Sequence, residues 1–363
     1  MEVIEYENLQ KLNQAFFDAY LNQLTEMMQS GWFVLGSGVQ NFEQQYAAFC
    51  DSKYCVGVAN GLDAMVLALK SFDFPENAEV IVPSNTYIAT ILAIVNANMK
   101  PVLVEPDINT YNIDPNKIEE KITANTKAIL AVHLYGKMCD MDSLLAITKK
   151  HNLVLIEDGA QSHGAKYKGK MSGTFGHFGA HSFYPTKNLG ALGDAGALTT
   201  DDEQLAEKVL YLHNYGSKIK YHNKYIGFNS RLDEIQARFL SVKLPYLNAI
   251  TEHKRRLANL YHEGLKSGFI KPVQHQDYFD VYHIFNIRHK ERDRLRAHFL
   301  ANGIKTEIHY PIPPHMQEAY INIFEDQHFP ISEEIHKTTL SLPISYFHSE
   351  NDIERVIEVA NKF

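Results

Sequence analysis

The sequence predicts an α/β protein: a large domain built on a mainly parallel sheet covered by helices on both faces, and a smaller α/β domain after it. Three observations predict this. Between Lys53 and Thr200, short β-rich and almost continuously apolar runs alternate with stretches of helical spacing, the pattern of strands buried on both faces. Beyond Asn229 this alternation gives way to charged helices. The length, 363 residues, suits about two domains at roughly 150 residues each.

Taken in order, residues 1–30 read as polar and helical, with an apolar stripe at Leu9, Leu12, Phe16 and Phe17. Seven strand runs follow, at 54–59, 79–83, 101–105, 128–134, 153–157, 180–184 and 197–200. Ligands of such sheets sit at the carboxyl ends of the strands, so functional residues are expected just past these runs. Ser230-Arg231-Leu232-Asp233 has the form of a helix capping box, and Leu232, Ile235, Phe239 and Val242 continue at helical spacing. Pro245 is expected to end or kink that helix. A second charged helix, about 252–265, leads out of the first domain. Strand-like runs at 281–288 and 305–309 and helices at 292–301 and 351–360 complete the second. The expected division is 1–245 and 246–363, with the N-terminal helix a candidate to pack on the smaller domain.

Composition narrows the function. Acidic residues exceed basic ones by 43 to 35, a net charge of −8, which argues against nonspecific nucleic-acid binding. Three cysteines, Cys50, Cys55 and Cys139, form no CxxC pair; a disulfide framework or zinc staple is not expected, and a reducing, cytoplasmic setting is. The acidic start, Met1 to Glu5, lacks signal-peptide features. The most apolar run, 88–95, falls far short of a membrane span. His177 and His181 are four apart, but Gly179 intervenes and no HExxH occurs, so no metal site is expected. Gly36-Ser37-Gly38 lacks the third glycine of a dinucleotide fingerprint.

Three stretches carry chemistry. In Ala59-Asn60-Gly61-Leu62-Asp63-Ala64 a strand passes through a glycine into an apolar helix, whose free N–H groups make a phosphate cradle; an ordinary strand-to-helix turn reads the same way. Leu155-Ile156-Glu157-Asp158-Gly159-Ala160-Gln161-Ser162 places a carboxylate at a strand's carboxyl end, fit to ligate a metal, act as a base, pair with a protonated ring nitrogen, or merely cap the next helix. Ala180-His181-Ser182-Phe183-Tyr184-Pro185-Thr186-Lys187-Asn188-Leu189-Gly190 sets a lysine in a glycine-crowded turn, where desolvation makes an amine nucleophilic. Together they specify pyridoxal 5′-phosphate, which needs a phosphate cradle, a lysine for its aldehyde and an acid beside its ring nitrogen. Asp158 precedes Lys187 by one strand-helix-strand unit, which puts both at adjacent strand ends.

The sequence resembles the DegT/DnrJ/EryC1/StrS nucleotide-sugar aminotransferases, a branch of the fold-type I pyridoxal-phosphate enzymes. The likeness runs from Ser30-Gly31-Trp32-Phe33-Val34-Leu35-Gly36 to Leu340-Ser341-Leu342-Pro343. It is most specific at Glu157-Asp158-Gly159-Ala160-Gln161, Ser182-Phe183-Tyr184-Pro185-Thr186-Lys187, Phe228-Asn229-Ser230-Arg231-Leu232-Asp233 and His309-Tyr310-Pro311. The resemblance implies that Lys187 carries the cofactor covalently, Asp158 pairs with the pyridine nitrogen, Gln161 bonds the ring hydroxyl oxygen and Tyr87 stacks on the ring. It implies that Gly61, Leu62 and Asp63 offer backbone N–H groups to the phosphate and Ser182 its hydroxyl. Many relatives carry threonine where Leu62 stands, so Leu62 offers only its backbone. Asn229 would reach the phosphate of a neighbouring subunit, making the active unit a homodimer. Substrate-binding candidates are Tyr184, Lys218 and Tyr221 of the basic-aromatic loop, Arg231 for the diphosphate, and His309, Tyr310 and His315.

The function this implies is transfer of an amino group from L-glutamate to carbon 3 of a dTDP-linked 3-keto-6-deoxyhexose, for a surface polysaccharide such as O-antigen or for an antibiotic sugar. Carbon-4 aminotransferases are the nearest rivals. Sugar dehydratases of the family replace the lysine by histidine, and Lys187 argues against them. A noncatalytic cofactor-binding regulator would not need the intact Lys187, Asp158 and Gln161.

Overall fold

The computed structural model describes residues 3–363. Its strands are β1 (Tyr54–Val58), β2 (Glu79–Pro83), β3 (Lys100–Val104), β4 (Thr126–Val132), β5 (Val154–Asp158), β6 (Lys166–Tyr167), β7 (Lys170–Met171), β8 (Phe178–Ser182), β9 (Gly196–Thr200), β10 (Tyr278–Phe279), β11 (Phe285–Arg288) and β12 (Thr339–Leu342). Seven form the main sheet, in the order β1-β9-β8-β5-β4-β2-β3. All neighbours are parallel except β9, which runs antiparallel to both β1 and β8. Each of the seven strand runs expected between 54 and 200 is present, displaced by no more than two residues.

Alternation along the strands explains why they read as continuous apolar runs. Val80, Val82, Leu130 and Ile156 face one core, which the helices Gly61–Lys70 and Ile88–Asn96 cover. Ile81, Ile129, Ala131 and Leu155 face the opposite core, closed by Met141 and Leu144 of the helix Met141–His151. Successive side chains point to opposite faces, so a strand covered on both sides needs an apolar residue at every position.

A separate core joins β11 and β12 to three helices, Leu247–Gly264, Arg292–Ala301 and Glu350–Asn361, through Leu257, Tyr261, Phe299, Leu340 and Ile353. Pro245 ends the preceding helix, Glu234–Lys243, and a 3-10 turn, Leu244–Tyr246, leads into the long helix. The run 305–309 forms no strand. It contributes one bridge, Glu307 to Ser341, because the Lys305 N–H is taken by the Ile4 carbonyl at 2.9 Å.

The N-terminal helix differs from expectation in its partner. Of the apolar stripe only Leu12 and Phe16 are buried, while Leu9 and Phe17 are exposed. The helix Phe17–Ser30 packs on the helix Glu234–Lys243, with Tyr20 and Phe239 rings 4.8 Å apart. Only the segment before it reaches the second core, at Ile4, pinned by the His348 ring to the Glu5 carbonyl at 2.8 Å.

The expected capping box is also different. The helix begins at Glu234, and the Ser230 hydroxyl accepts the Ala59 N–H at 3.2 Å instead. Glu234 does unexpected work. Its buried carboxylate accepts the N–H groups of Gly36, Gly38 and Val39 at 3.1, 2.6 and 3.1 Å and meets Arg238 Nε at 3.2 Å. A Cβ on Gly38 would stand 2.5 Å from that carboxylate, so the Gly36-Ser37-Gly38 pattern serves close approach by an acid, not a nucleotide. Among the described residues no helix is long and apolar enough to cross a membrane. The same residues hold no cluster fit for a metal ion.

Glu234→Ala strands three backbone donors and is expected to destabilise the protein by about 2–4 kcal/mol, read from urea unfolding. Glu234→Gln, which keeps one acceptor oxygen, is expected to lose less.

Candidate active site

The site lies where β5 and β8 end and the helix after β1 begins. Asn60 caps the helix Gly61–Lys70, its Oδ1 accepting the Asp63 N–H at 2.8 Å. Of the three expected cradle groups, the Asp63 N–H is thereby committed. The N–H groups of Gly61 and Leu62 have no acceptor among the described residues. A Cβ on Gly61 would lie 2.5 Å from Ser182 Cβ, and one on Gly196 would lie 2.4 Å from the Asn60 carbonyl. The helix N-terminus is thus pressed against the ends of β8 and β9, and Ser182 stands beside the two free donors. This fits a phosphate.

Asp158 ends β5. Its Oδ2 accepts the Thr90 hydroxyl at 2.8 Å and its Oδ1 the Ala160 N–H at 3.1 Å. Thr90 gives its one proton to Asp158, so the Thr86 hydroxyl, 2.8 Å away, is donor to Thr90. Burial raises the Asp158 carboxyl above its ordinary value, against the pull of Thr90, Ala160, Lys187 and His133. Among the described residues no cationic side chain lies within ion-pair distance of it. A buried acid placed this way fits a cationic ring nitrogen.

Lys187 lies in the turn after β8, its N–H bonded to the Tyr184 carbonyl at 2.8 Å. Burial pushes its amine down to about 8, with Asp158 acting in the opposite sense. The rings around it stay neutral: burial takes His309 down to about 4, and Lys187 adds to that fall. His163 and His283 are lowered by the same two causes.

Gln161 is held at both ends, Oε1 by the Tyr135 N–H at 2.6 Å and Nε2 by the Tyr310 hydroxyl at 2.9 Å. Tyr87, half exposed at the head of the helix Ile88–Asn96, lies 5.1 Å from Tyr310, ring to ring. His309 Nδ1 contacts the Ser341 hydroxyl at 2.9 Å. The candidates Gln161, Tyr87, Tyr310 and His309 therefore sit together with Lys187 and Asp158.

The remaining candidates scatter. Arg231 Nη1 donates to Asn214 Oδ1 at 3.0 Å, and its guanidinium lies 5.3 Å from the Tyr215 ring. Lys218 is paired with Glu207 at 2.9 Å. His315 is buried against Phe329 and faces Glu333 at 3.2 Å. Tyr184 and Tyr221 are exposed, and so is Asn229, whose backbone bridges to Asn214.

The structure adds residues that sequence reasoning missed. Thr90 sits one helical turn from Tyr87, a spacing that points to a shared face. Tyr135 follows the carboxyl end of β4, where a functional residue was expected, and its hydroxyl also bonds the His309 carbonyl. His163 is buried with neither ring nitrogen partnered; its place beside Lys187 had no sequence signal of its own.

The chain matches the DegT/DnrJ/EryC1/StrS aminotransferase family over residues 17–361. It belongs to that family. The dTDP-3-amino-3,6-dideoxy-alpha-D-galactopyranose transaminase of Aneurinibacillus thermoaerophilus is 51% identical over 362 residues, 99% of each chain. The crystal structure of S. venezuelae DesV superposes with a TM-score of 0.97 at 39% identity, covering 100% of this chain and 98% of the other. NtdA of Bacillus subtilis, solved with bound cofactor PMP, superposes with a TM-score of 0.94 at 29% identity, covering 100% and 86%. Members of the family are pyridoxal-phosphate-dependent transaminases, and the cradle, the buried acid and the desolvated lysine fit that cofactor.

Two outcomes test this geometry. Gly61→Ala drives a Cβ into Ser182 and is expected to weaken pyridoxal-phosphate binding by at least about tenfold, measured by equilibrium dialysis. Because burial brings the Lys187 amine down to about 8, its reactive unprotonated fraction shrinks progressively as the pH falls below that value. Covalent attachment of cofactor to the stripped protein is expected to rise from about pH 6.5 and level off at about pH 9, followed by stopped-flow absorbance.

Proposed function

We propose that this chain moves an amino group from L-glutamate to carbon 3 of a dTDP-linked 3-keto-6-deoxyhexose, releasing 2-oxoglutarate and a dTDP-3-amino-3,6-dideoxyhexose. The observation that carries amino transfer is the meeting of Lys187, Asp158 and the Gly61–Ser182 cradle at neighbouring strand ends. Support for carbon 3 and for the dTDP ester comes from the name of the relative that is 51% identical over the whole chain.

When bound, pyridoxal phosphate supplies an electron sink that acidifies the carbon bearing the amine. Asp158 keeps the ring nitrogen charged, and Thr90 and Ala160 keep Asp158 aimed. The Lys187 Nζ would take a proton from the glutamate carbon. It later returns one to carbon 3 of the sugar, which sets the configuration there. Tyr87, beside Tyr310, would pack on the cofactor ring and help orient the substrate carbon. Gln161, locked between Tyr135 and Tyr310, orients the ring through its hydroxyl oxygen.

Residues 1–245 hold the cofactor in this reading, and 246–363 close over the sugar with His309 and Tyr310. Exposed Asn229 reaches the phosphate of a second copy, so the working unit is a homodimer. Arg231 and the loop of Tyr221 then serve the diphosphate, whose remote binding energy positions the sugar carbonyl.

The test offers dTDP-3-keto-6-deoxyhexoses of both configurations with L-glutamate and reads the product by NMR. An amino group on carbon 3, ping-pong kinetics and very poor turnover of the free keto sugar are expected. An amino group on carbon 4 overturns the positional assignment. No transfer to any nucleotide-linked keto sugar, with cofactor bound, overturns the function.

A further inference from the structure

Lys254 is a buried lysine that the reaction above does not use. It lies on the inner face of the helix Leu247–Gly264, and it is 5% exposed. Its Nζ donates to Asn188 Oδ1 at 2.8 Å and to the His283 carbonyl at 3.2 Å. Asn188, equally buried, spends its Nδ2 on the Val281 carbonyl at 3.0 Å. Both ends of the Asn188 amide are therefore clamped, and Asn188 is the residue that follows Lys187. Among the described residues no carboxylate comes within ion-pair distance of Lys254.

We infer that Lys254 is a positioning residue for Lys187, acting through Asn188. The inference rests on Lys187 being the cofactor lysine. The turn holding Lys187 closes on itself: the Lys187 N–H meets the Tyr184 carbonyl, and a Cβ on Gly190 would stand 2.3 Å from the Pro185 carbonyl. Such a turn is rigid within itself but still needs an anchor to the body of the protein. Asn188 supplies one, tied by Lys254 to the long helix and by Val281 to the segment leading into β11. A lysine side chain has four rotatable bonds, so a small tilt of its backbone moves Nζ by ångströms, and misplacement on that scale slows attack.

A structural staple alone would hold the two cores together without touching the reactivity of Lys187. The ammonium offers what a staple does not need: two directed, charged donors on one amide oxygen and one carbonyl. Burial pushes this amine to about 8, with Glu7 raising it and Lys243 lowering it. Its environment thus resembles that of Lys187, yet its donors are committed.

The test uses the full-length protein stripped of cofactor and two probes. Pyridoxal phosphate attaches to Lys187, and pyridoxamine phosphate binds without attaching. Lys254→Met is expected to bind pyridoxamine phosphate within about twofold of wild type but to attach pyridoxal phosphate at least about tenfold more slowly. Attachment is followed by the visible band and by borohydride trapping. Lys254→Arg keeps the charge and the donors and is expected to restore most of the rate. Asn188→Ala is expected to reproduce the defect, and the double variant to be no slower than the slower single one. A wild-type attachment rate in Lys254→Met overturns the inference. So does an equal loss of both probes together with a lowered melting temperature. Should Lys254→Met not fold, Asn188→Ala decides, and a wild-type rate there overturns it. Trapping on a lysine other than Lys187 instead overturns the reading of Lys187 itself.

Discussion

A buried acid and a desolvated amine, Asp158 and Lys187, feel one another's field at the ends of neighbouring parallel strands, and much of the structure keeps them there. Each is costly to bury alone. Asp158 is held by two short-range donors, Thr90 and Ala160, and not by a salt bridge. That arrangement leaves the carboxylate aimed but electrically unanswered, which is what a cationic ring nitrogen requires. Lys187 is left with a lowered affinity for its proton, which is what a nucleophilic amine requires.

The neighbouring acid shows how the same strand separates two jobs. Glu157 points to the opposite face from Asp158 and is fully enclosed. Burial alone would raise it, but His133 and the N–H groups of Gly176 and Gly173 reverse this and hold it below the ordinary carboxylate range. The His133 ring is held between the Cys139 N–H, 3.2 Å from Nδ1, and Glu157, 2.9 Å from Nε2. Glu157 pins the turn before β8 through Gly173, Phe175 and Gly176. One carboxylate of the pair is thus saturated for architecture and the other kept available for chemistry.

Across the site, a polar chain links the sheet to the second core. Gln161 joins Tyr135 to Tyr310, and the Tyr135 hydroxyl joins the His309 carbonyl. His309 in turn meets Ser341 on β12. This side of the site is therefore positioned by hydrogen bonds that cross between the two halves, and by Tyr111, Val132 and Ile284 packed beside them. His283 and His309 are held neutral chiefly by burial, and the nearby Lys187 adds to it.

The sequence by itself determined the strands of the main sheet and placed an acid, Asp158, and a lysine, Lys187, at neighbouring strand ends. These depend on local patterns: apolar runs with turn residues after them, and an acid and a lysine one strand-helix-strand unit apart. It determined less at the rims. Ser230 looked like a cap but serves Ala59, and Gly36 and Gly38 looked like a partial nucleotide motif but admit Glu234 from 196 residues or more away. Lys218 and His315 read as ligand donors, yet Glu207 and Glu333 engage them. Only the tertiary structure decided these points. A polar side chain's role depends on which partner folding brings within hydrogen-bond distance, and nothing in the neighbouring residues records that distance.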